Sequence, residues 1–511
     1  MDPTGVDPIW LLVAGQLAAL SGLLLLGLVR LTHALALLRA GPRAPEPPPP
    51  PPTAWPSVTV QLPVFEEAAV VGRLLAAVAR LDYPRERLEV QVLDDSQDET
   101  ADLLAAGVAD LRRQGIAAHH LRRPTRAGYK AGALAAGLEQ ARGELVALFD
   151  ADFLPPPDFL RRAVPWFQDP RVGLVQAAWG HENRAASLLT RLQALLLDAH
   201  FQVEQAARDL QGGFVAFNGT AGVLRRAAIE DAGGWSADTL TEDLDLALRA
   251  QLCGWRFRFL PDLVVPAELP EDGPALRAQQ QRWTRGAAAT TRKLLRLIWR
   301  APGLRTGQRL SASALLLQHA AWPLLLLLLL GSAAIAALPA QPPPWFPLAQ
   351  ALLFALASGS VALAWAVGQR ARGARGVLEA LALAPLLFAL GFGLCAANAR
   401  AWWQGLRGGA AAFARTPKRG DARAPRYAVA RALPLAELLL GLVCAGACGA
   451  ALARERPAAL PFLLLMAAGL LGWGLTLLRP ARSRAPRPSR TASDPVRTIS
   501  RTPLVSAARA D

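Results

Sequence analysis

Four groups of acidic and aromatic residues follow one another in the first 300 positions: Asp94-Asp95, Asp150-Ala151-Asp152, Thr241-Glu242-Asp243 and Gln279-Gln280-Gln281-Arg282-Trp283. Each alone is weak, because short acidic runs are common on solvated loops. In this order they suit one reaction. A carboxylate pair can read a nucleotide. An Asp-x-Asp can hold Mg2+ or Mn2+ through oxygen while the ion's other positions take diphosphate oxygens. Asp243, at the expected start of a helix, can accept the proton of an attacking hydroxyl. Helix capping is the competing explanation, since Thr and acids are routine at helix N-termini. Arg282 suits phosphate oxygens and Trp283 suits a sugar face, against the alternative of a Trp at a membrane interface. The expected chemistry is sugar transfer from a nucleotide diphosphate by a membrane-embedded enzyme. Asp245 is expected to be structural.

These residues need elements to hold them. Ser57–Pro63, Glu89–Leu93 and Glu144–Phe149 read as buried strands, and Glu66–Ala79 as an amphipathic helix. The two aspartate motifs fall where the second and third strands end. Strands alternating with helices predict a parallel sheet with its chemistry at the carboxyl ends. Lys130 sits in Gly128-Tyr129-Lys130-Ala131-Gly132, where a glycine-bounded turn enters a helix. Anion contact and a solvated helix start are both open there. Asn218-Gly219-Thr220-Ala221-Gly222 offers small residues and amides for close approach by an acceptor, or a plain turn.

Charge and composition exclude other classes. The chain has 511 residues, a net charge of +15 and a mean hydropathy of +0.24. Ser57–Arg300 holds 29 Lys+Arg against 31 Asp+Glu, so the excess of positive charge flanks apolar segments. That pattern orients a protein beside anionic lipid; a nucleic-acid reader carries its basic patch on the folded domain. Cys253, Cys395, Cys444 and Cys448 make no metal or disulfide framework. No histidine has metal-ligand spacing, and no P-loop, dinucleotide fingerprint or nucleophile elbow is present. Only Lys130, Lys293 and Lys418 are lysines. In a chain so biased toward Arg, a retained ammonium hints at a tight phosphate site.

Residues 1–40 contain an apolar stretch long enough to span a bilayer, and 41–56 form a proline-rich spacer with an unbroken run at Pro47–Pro52. A soluble domain over 57–300 follows, then a membrane region over 301–478. Six full spans would place the Ala399–Arg431 loop and the tail from Arg479, each with eight Arg or Lys, on the outer side. Making 377–397 interfacial or re-entrant removes both violations and leaves five spans; a real sixth span with a weak charge rule is the alternative. Residues 479–511 are Arg-, Pro- and Ser-rich and are expected to be a disordered tail.

The text from Trp55 to Arg300 resembles the processive family 2 glycosyltransferases, the cellulose-synthase-like group, and is closest to the plant cellulose-synthase-like A and C proteins, which make mannan or glucan backbones. The resemblance rests on Val60-Gln-Leu-Pro-Val-Phe-Glu66, Gln91-Val-Leu-Asp-Asp-Ser96, Gly128-Tyr-Lys-Ala-Gly-Ala-Leu134 and Phe149-Asp-Ala-Asp-Phe153. It continues through Phe217-Asn-Gly-Thr-Ala-Gly222 and Ala232-Gly-Gly-Trp235 to Gln279-x-x-Arg282-Trp283. Further on, Phe413-Ala-Arg-Thr416-Pro-Lys418 is similar to the family's Phe-x-Val-Thr-x-Lys gating loop, with Arg415 in place of Val.

The resemblance implies an α/β domain of GT-A type, with a mixed, mostly parallel sheet, inserted between transmembrane helices. It implies inverting transfer that forms a β-linkage, with export of the polymer through the membrane helices. Asp94, Asp95, Lys130, Asp150, Arg282 and Lys418 would hold the donor nucleotide, and Asp150 and Asp152 the Mg2+ or Mn2+. Asp243 would be the base, and Asn218 and Trp283 would hold the acceptor. Glu66, Glu242, Gln279, Phe413 and Thr416 would support them. The expected partners are a nucleotide sugar (UDP-glucose or GDP-mannose), a glycan acceptor and the lipid bilayer, with no nucleic acid; any export or envelope partner is left unnamed. The protein is expected to be multi-pass, in the plasma membrane if the source is bacterial, with its catalytic domain cytosolic. Single transfer onto ceramide or polyprenyl phosphate is the alternative.

Overall fold

The computed structural model describes residues 8–41, 49–409, 418, 420 and 432–479. Seven strands build one sheet: β1 (Val58–Val64), β2 (Leu88–Asp94), β3 (Ala117–Arg122), β4 (Leu145–Leu148), β5 (Val172–His181), β6 (Gly222–Arg225) and β7 (Arg256–Ala267). Their order is β3-β2-β1-β4-β6-β5-β7. The pairs β1/β2, β1/β4, β2/β3 and β5/β7 are parallel, and β6 runs antiparallel to both its neighbours. The sheet is thus mixed and mostly parallel, as the GT-A resemblance implied. Val58, Val60 and Leu62 pack against Leu74, Val78 and Leu104 on one face. Leu93, Val146 and Leu148 meet Leu134, Phe201 and Phe217 on the other. Burial on both faces explains why these strands read as apolar runs.

Register fixes the site. Val64 pairs with Asp94, and Gln61 with Leu148, so β1, β2 and β4 deliver Phe65, Asp95 and Asp150 to one edge. The helix expected from Glu66 begins instead at Val71. Glu66 has a left-handed backbone, φ 52°, and donates its N–H to Ser96 Oγ at 2.7 Å. The chain therefore turns before it coils.

Among the described residues, six helices are long and apolar enough to cross a membrane: Pro8–Ala40, Thr306–Ala337, Phe346–Gly368, Arg370–Arg407, Leu435–Ala453 and Pro457–Leu478. The loop expected from Ala399 starts later, because one helix runs unbroken from Gly373 to Arg407 with Pro385 inside it. At 35 residues it is about 52 Å long. It touches the α/β domain towards both ends, while Gly393 lies against Trp473 and Gly469, and Phe392 and Cys395 cluster with Leu328 and Met466 of the other long apolar helices. Near its start, Glu379 pairs with Arg191 at 2.8 Å, and Gln369 just ahead of it donates to Asp198 at 2.9 Å. In its middle, Ala380, Ala384, Leu387 and Leu394 pack with Leu192, Leu195 and Leu276. Near its end, a Cβ added to Gly405 would lie 2.3 Å from the Arg285 carbonyl oxygen, so only glycine allows this approach. Phe413 and Thr416, and the tail from residue 480, lie outside the described residues.

Candidate active site

A cleft of about 190 Å3 opens at the carboxyl edge of the sheet. The expected site residues that reach it come from seven chain segments. Asp95, Lys130, Asp150, Asp152, Asn218, Glu242, Asp243, Gln279, Arg282, Trp283 and Lys418 all line it. The last motif lies on the Gly273–Arg300 helix, which Asp272 caps by accepting the Ala275 N–H at 2.8 Å. Gln279, Arg282 and Trp283 stand at i, i+3 and i+4, one face of that helix.

One expected nucleotide contact does not reach the cleft. Asp94 is 1% exposed, accepts the Ser96 N–H at 2.8 Å and lies 2.9 Å from His120 Nε2. Consecutive residues at a strand end point to opposite faces, so a pair of aspartates cannot both face a ligand. Asp95 is the member that does. Arg123 holds it with two parallel bonds, 2.9 and 2.5 Å long. Glu66 shapes the turn beneath through its backbone, and its neighbour Glu67 lines the cleft.

Two of the three lysines meet the Asp-x-Asp. Lys130 Nζ is 2.6 Å from Asp150 Oδ1, donates to the Gly219 carbonyl at 2.8 Å, and lies 3.9 Å from Glu242. Burial works to lower its pKa, but Asp150 and Glu242 raise it overall, so the ammonium is retained. Lys418 bonds Asp152 Oδ2. Burial pushes the Asp152 carboxyl up, opposed by that lysine. The third, Lys293, pairs with the fully buried Asp245 at 2.8 Å, as does Arg249 at 2.7 Å, so Asp245 is structural as expected.

The donor set fits a hard divalent cation. Among the described residues, Asp150 Oδ2 and Asp152 Oδ1 have no hydrogen-bond partner, which leaves one oxygen on each carboxylate for a metal. No third His, Cys, Asp or Glu completes a protein cage among the described residues. A cation here would keep several positions for water and phosphate oxygens, as Mg2+ and Mn2+ sites on nucleotides do.

Asp243 occupies the first turn of the Glu242–Leu252 helix. Its Oδ1 accepts the Leu244 N–H at 2.8 Å, so part of the capping role is real. Its Oδ2 faces Gly219, where an added Cβ would stand 2.7 Å away; Gly219 also has φ +80°. Thr241 makes no cap and instead meets Thr290 at 3.1 Å. Burial pushes the Asp243 carboxyl up to about 7; the Glu242 charge adds to this and Lys130 opposes it. A carboxyl near neutrality, within a cleft that also holds Asp150 and Asp152, is suited to proton abstraction.

Other residues at or behind the cleft escaped sequence reasoning. Glu268 lines it, accepts the Gly420 N–H at 3.1 Å and pairs with Arg73 at 2.7 Å. His181 forms part of the wall and lies 3.2 Å from Asp198. His200 stands behind Asn218, 3.0 Å from its side-chain nitrogen. None belongs to a compact motif; contact across 17 or more positions in sequence is their only signal.

Residues 56–286 match the model of the glycosyltransferase like family 2. Glucomannan 4-beta-mannosyltransferase 2 of Arabidopsis thaliana is 46% identical over 246 residues, covering 47% of this chain and 46% of that protein. "Probable glucomannan 4-beta-mannosyltransferase 4" of Oryza sativa subsp. japonica is 43% identical over 262 residues, 50% of this chain and 48% of its own. The chain spans about half the length of the curated relatives it matches. In fold it is similar to the mannosyltransferase PcManGT from Pyrobaculum calidifontis, solved in complex with GDP-Man and Mn2+. The TM-score is 0.52 at 25% identity, over 73% of this chain and 98% of that one. Motif order, sheet and sequence match agree: residues 56–286, which match the family 2 glycosyltransferase model, have a GT-A-type fold and are flanked by helices long and apolar enough to cross a membrane.

Proposed function

We propose that this protein is an inverting β-mannosyltransferase that moves mannose from GDP-mannose onto the 4-hydroxyl of a growing β-glycan. The observation that carries the reading is the Asp243 carboxylate, held near neutral pKa in a cleft that also contains Lys130, Asp150, Asp152 and Arg282. The mannosyl class is supported by the glucomannan mannosyltransferases and by the GDP-Man complex of the structural neighbour.

Asp95 faces the base, and Lys130 and Arg282 the diphosphate. Asp243 takes the proton of the acceptor hydroxyl as its oxygen bonds to the anomeric carbon from the face opposite the nucleotide. The bond from that carbon to the phosphate oxygen breaks, and its electron pair leaves on the diphosphate. Asp150 and Asp152 would hold a divalent cation, which would neutralise charge on the departing diphosphate. Trp283 offers a flat face for the acceptor sugar. Lys418 closes the cleft over the phosphates, and the chain around it, including Phe413 and Thr416, acts as the gate.

The domain lies on the cytosolic side, where nucleotide sugars are available. The Gly373–Arg407 helix lies along the membrane face under it, which leaves five crossings; its contacts with that domain through Glu379 and Gly405, towards its two ends, support this. The Arg-rich chain after residue 407 and the tail then share the cytosolic side. The helices provide the exit for the polymer. Purified protein in lipid with Mn2+ tests the reading, with radiolabelled GDP-mannose and UDP-glucose supplied separately. High-mass label from GDP-mannose that β-mannanase releases supports it. Label from UDP-glucose alone, or only in a lipid-extractable product, refutes the donor or the polymer respectively.

A further inference from the structure

Behind the acceptor side of the cleft lies an amide whose orientation can be deduced atom by atom. The Ala216 N–H donates to Gln205 Oε1 at 3.0 Å, and the Ala216 carbonyl accepts from Gln205 Nε2 at 2.7 Å. Backbone groups of fixed chemistry therefore allow the Gln205 carboxamide only one orientation. Its Nε2 is the donor 3.0 Å from the Asn218 side chain, so the atom it meets is Asn218 Oδ1. Asn218 Nδ2 then faces His200 Nε2 at 3.0 Å. An amide nitrogen only donates, so His200 Nε2 presents a lone pair and the ring proton sits on Nδ1. That proton points to Glu204 Oε2, 3.4 Å away. Glu204 is pinned by Arg30 of the Pro8–Ala40 helix at 2.8 Å and by Arg208 at 3.4 Å. His200, Glu204 and Gln205 share a π-helical turn, His200–Gln205, a form often found at functional sites. Asn218 itself lines the cleft, and its backbone N–H is held by Gln176 at 3.0 Å.

We infer that His200 is a positioning residue for the acceptor. Its neutral ring takes one N–H of Asn218 and so aims the other, which has no protein acceptor among the described residues, at an oxygen of the incoming sugar. The chain Arg30–Glu204–His200–Asn218 also ties this amide to the first membrane helix. The inference rests on the glycan-acceptor reading above. Gln205 prevents the Asn218 amide from flipping out of this orientation.

The test measures β-1,4-mannotetraose twice, as acceptor with GDP-mannose and by calorimetric binding to the GDP-saturated protein. His200→Leu should raise KM and Kd for the oligosaccharide about tenfold, the loss of one oriented hydrogen bond, with KM for GDP-mannose unchanged. His200→Gln, whose carboxamide carries both an acceptor for Asn218 and a donor for Glu204, should restore both. Asn218→Ala should match His200→Leu, and the double variant should lose no more than either. Unchanged oligosaccharide affinity in His200→Leu, or no rescue by Gln, overturns the inference. If His200→Leu fails to fold, Asn218→Ala decides: unchanged oligosaccharide affinity in that variant overturns the inference. Binding without transfer would sink the proposed reaction and still judge His200. No binding of the oligosaccharide by wild type would sink the acceptor reading and the inference together.

Discussion

Lowering the pH through 7 should switch the base off, and two neighbours should move that transition in opposite directions. Asp243 has its carboxyl raised to about 7 by burial and by Glu242, with Lys130 opposing. Only the ionised form accepts a proton, so activity rises with pH. About one tenth of the sites are competent at pH 6, half at pH 7 and about nine tenths at pH 8. An ordinary aspartate, with pKa about 3.9, would give no change over that range. The quantity to plot is kcat/KM for the donor, which reports the free enzyme, measured at saturating Mn2+ from about pH 5.5 to 9. Glu242→Gln removes a like charge and should move the limb about one unit toward acid. Lys130→Met removes an opposing charge and should move it about one unit toward alkali, whatever it does to the absolute rate. A wild-type limb near 4, or two variants that shift it the same way, would refute the electrostatic account of the base.

Other outcomes follow from single contacts. Gly219→Ala places a Cβ 2.7 Å from Asp243 Oδ2 at φ +80°; it should lower kcat at least about tenfold while calorimetric GDP affinity holds, with about 1 kcal/mol of stability lost to the backbone. Lys418→Met removes the ammonium bonded to Asp152, so donor-free protein should bind Mn2+ about tenfold more tightly by electron paramagnetic resonance; equal or weaker binding would count against Asp152 as a ligand. Asp245→Ala leaves Arg249 and Lys293 without their buried partner and should cost about 3 kcal/mol in denaturant unfolding, a loss of stability that a purely surface role would not give.

The sequence exposed the chemistry better than the geometry. β1, β2 and β4 lie within about a residue of their expected places, because runs such as Val58-Thr-Val-Gln-Leu62 must be buried on both faces. The motifs at their ends then fall on one edge by register. Side-chain direction at that edge was harder. Asp94 and Asp95 look equivalent as letters, but the strand's period of two sends one inward to His120 and the other to the cleft. Glu66 looked helical, and its left-handed backbone instead makes a turn that Ser96 Oγ holds. The Gly373–Arg407 helix carries Arg400 and Arg407 beyond its apolar stretch, so charge suggested a loop where packing on Arg285 and Ala288 keeps a helix. His200 gave no signal at all. Its role depends on a π-helical turn and on Gln205 and Ala216, which local periodicity does not reveal.

The central claim is that Asp243 is the base of a mannosyl transfer. The most direct measurement compares wild type and Asp243→Asn at pH 8 with GDP-mannose, Mn2+ and β-1,4-mannotetraose, following GDP release and the anomeric configuration of the product by NMR. The account predicts a β-linked product from wild type, and from Asp243→Asn unchanged GDP-mannose affinity with transfer slower by about 10²–10⁴-fold. An α-linked product, or an Asn variant that transfers at a rate close to wild type, would contradict it.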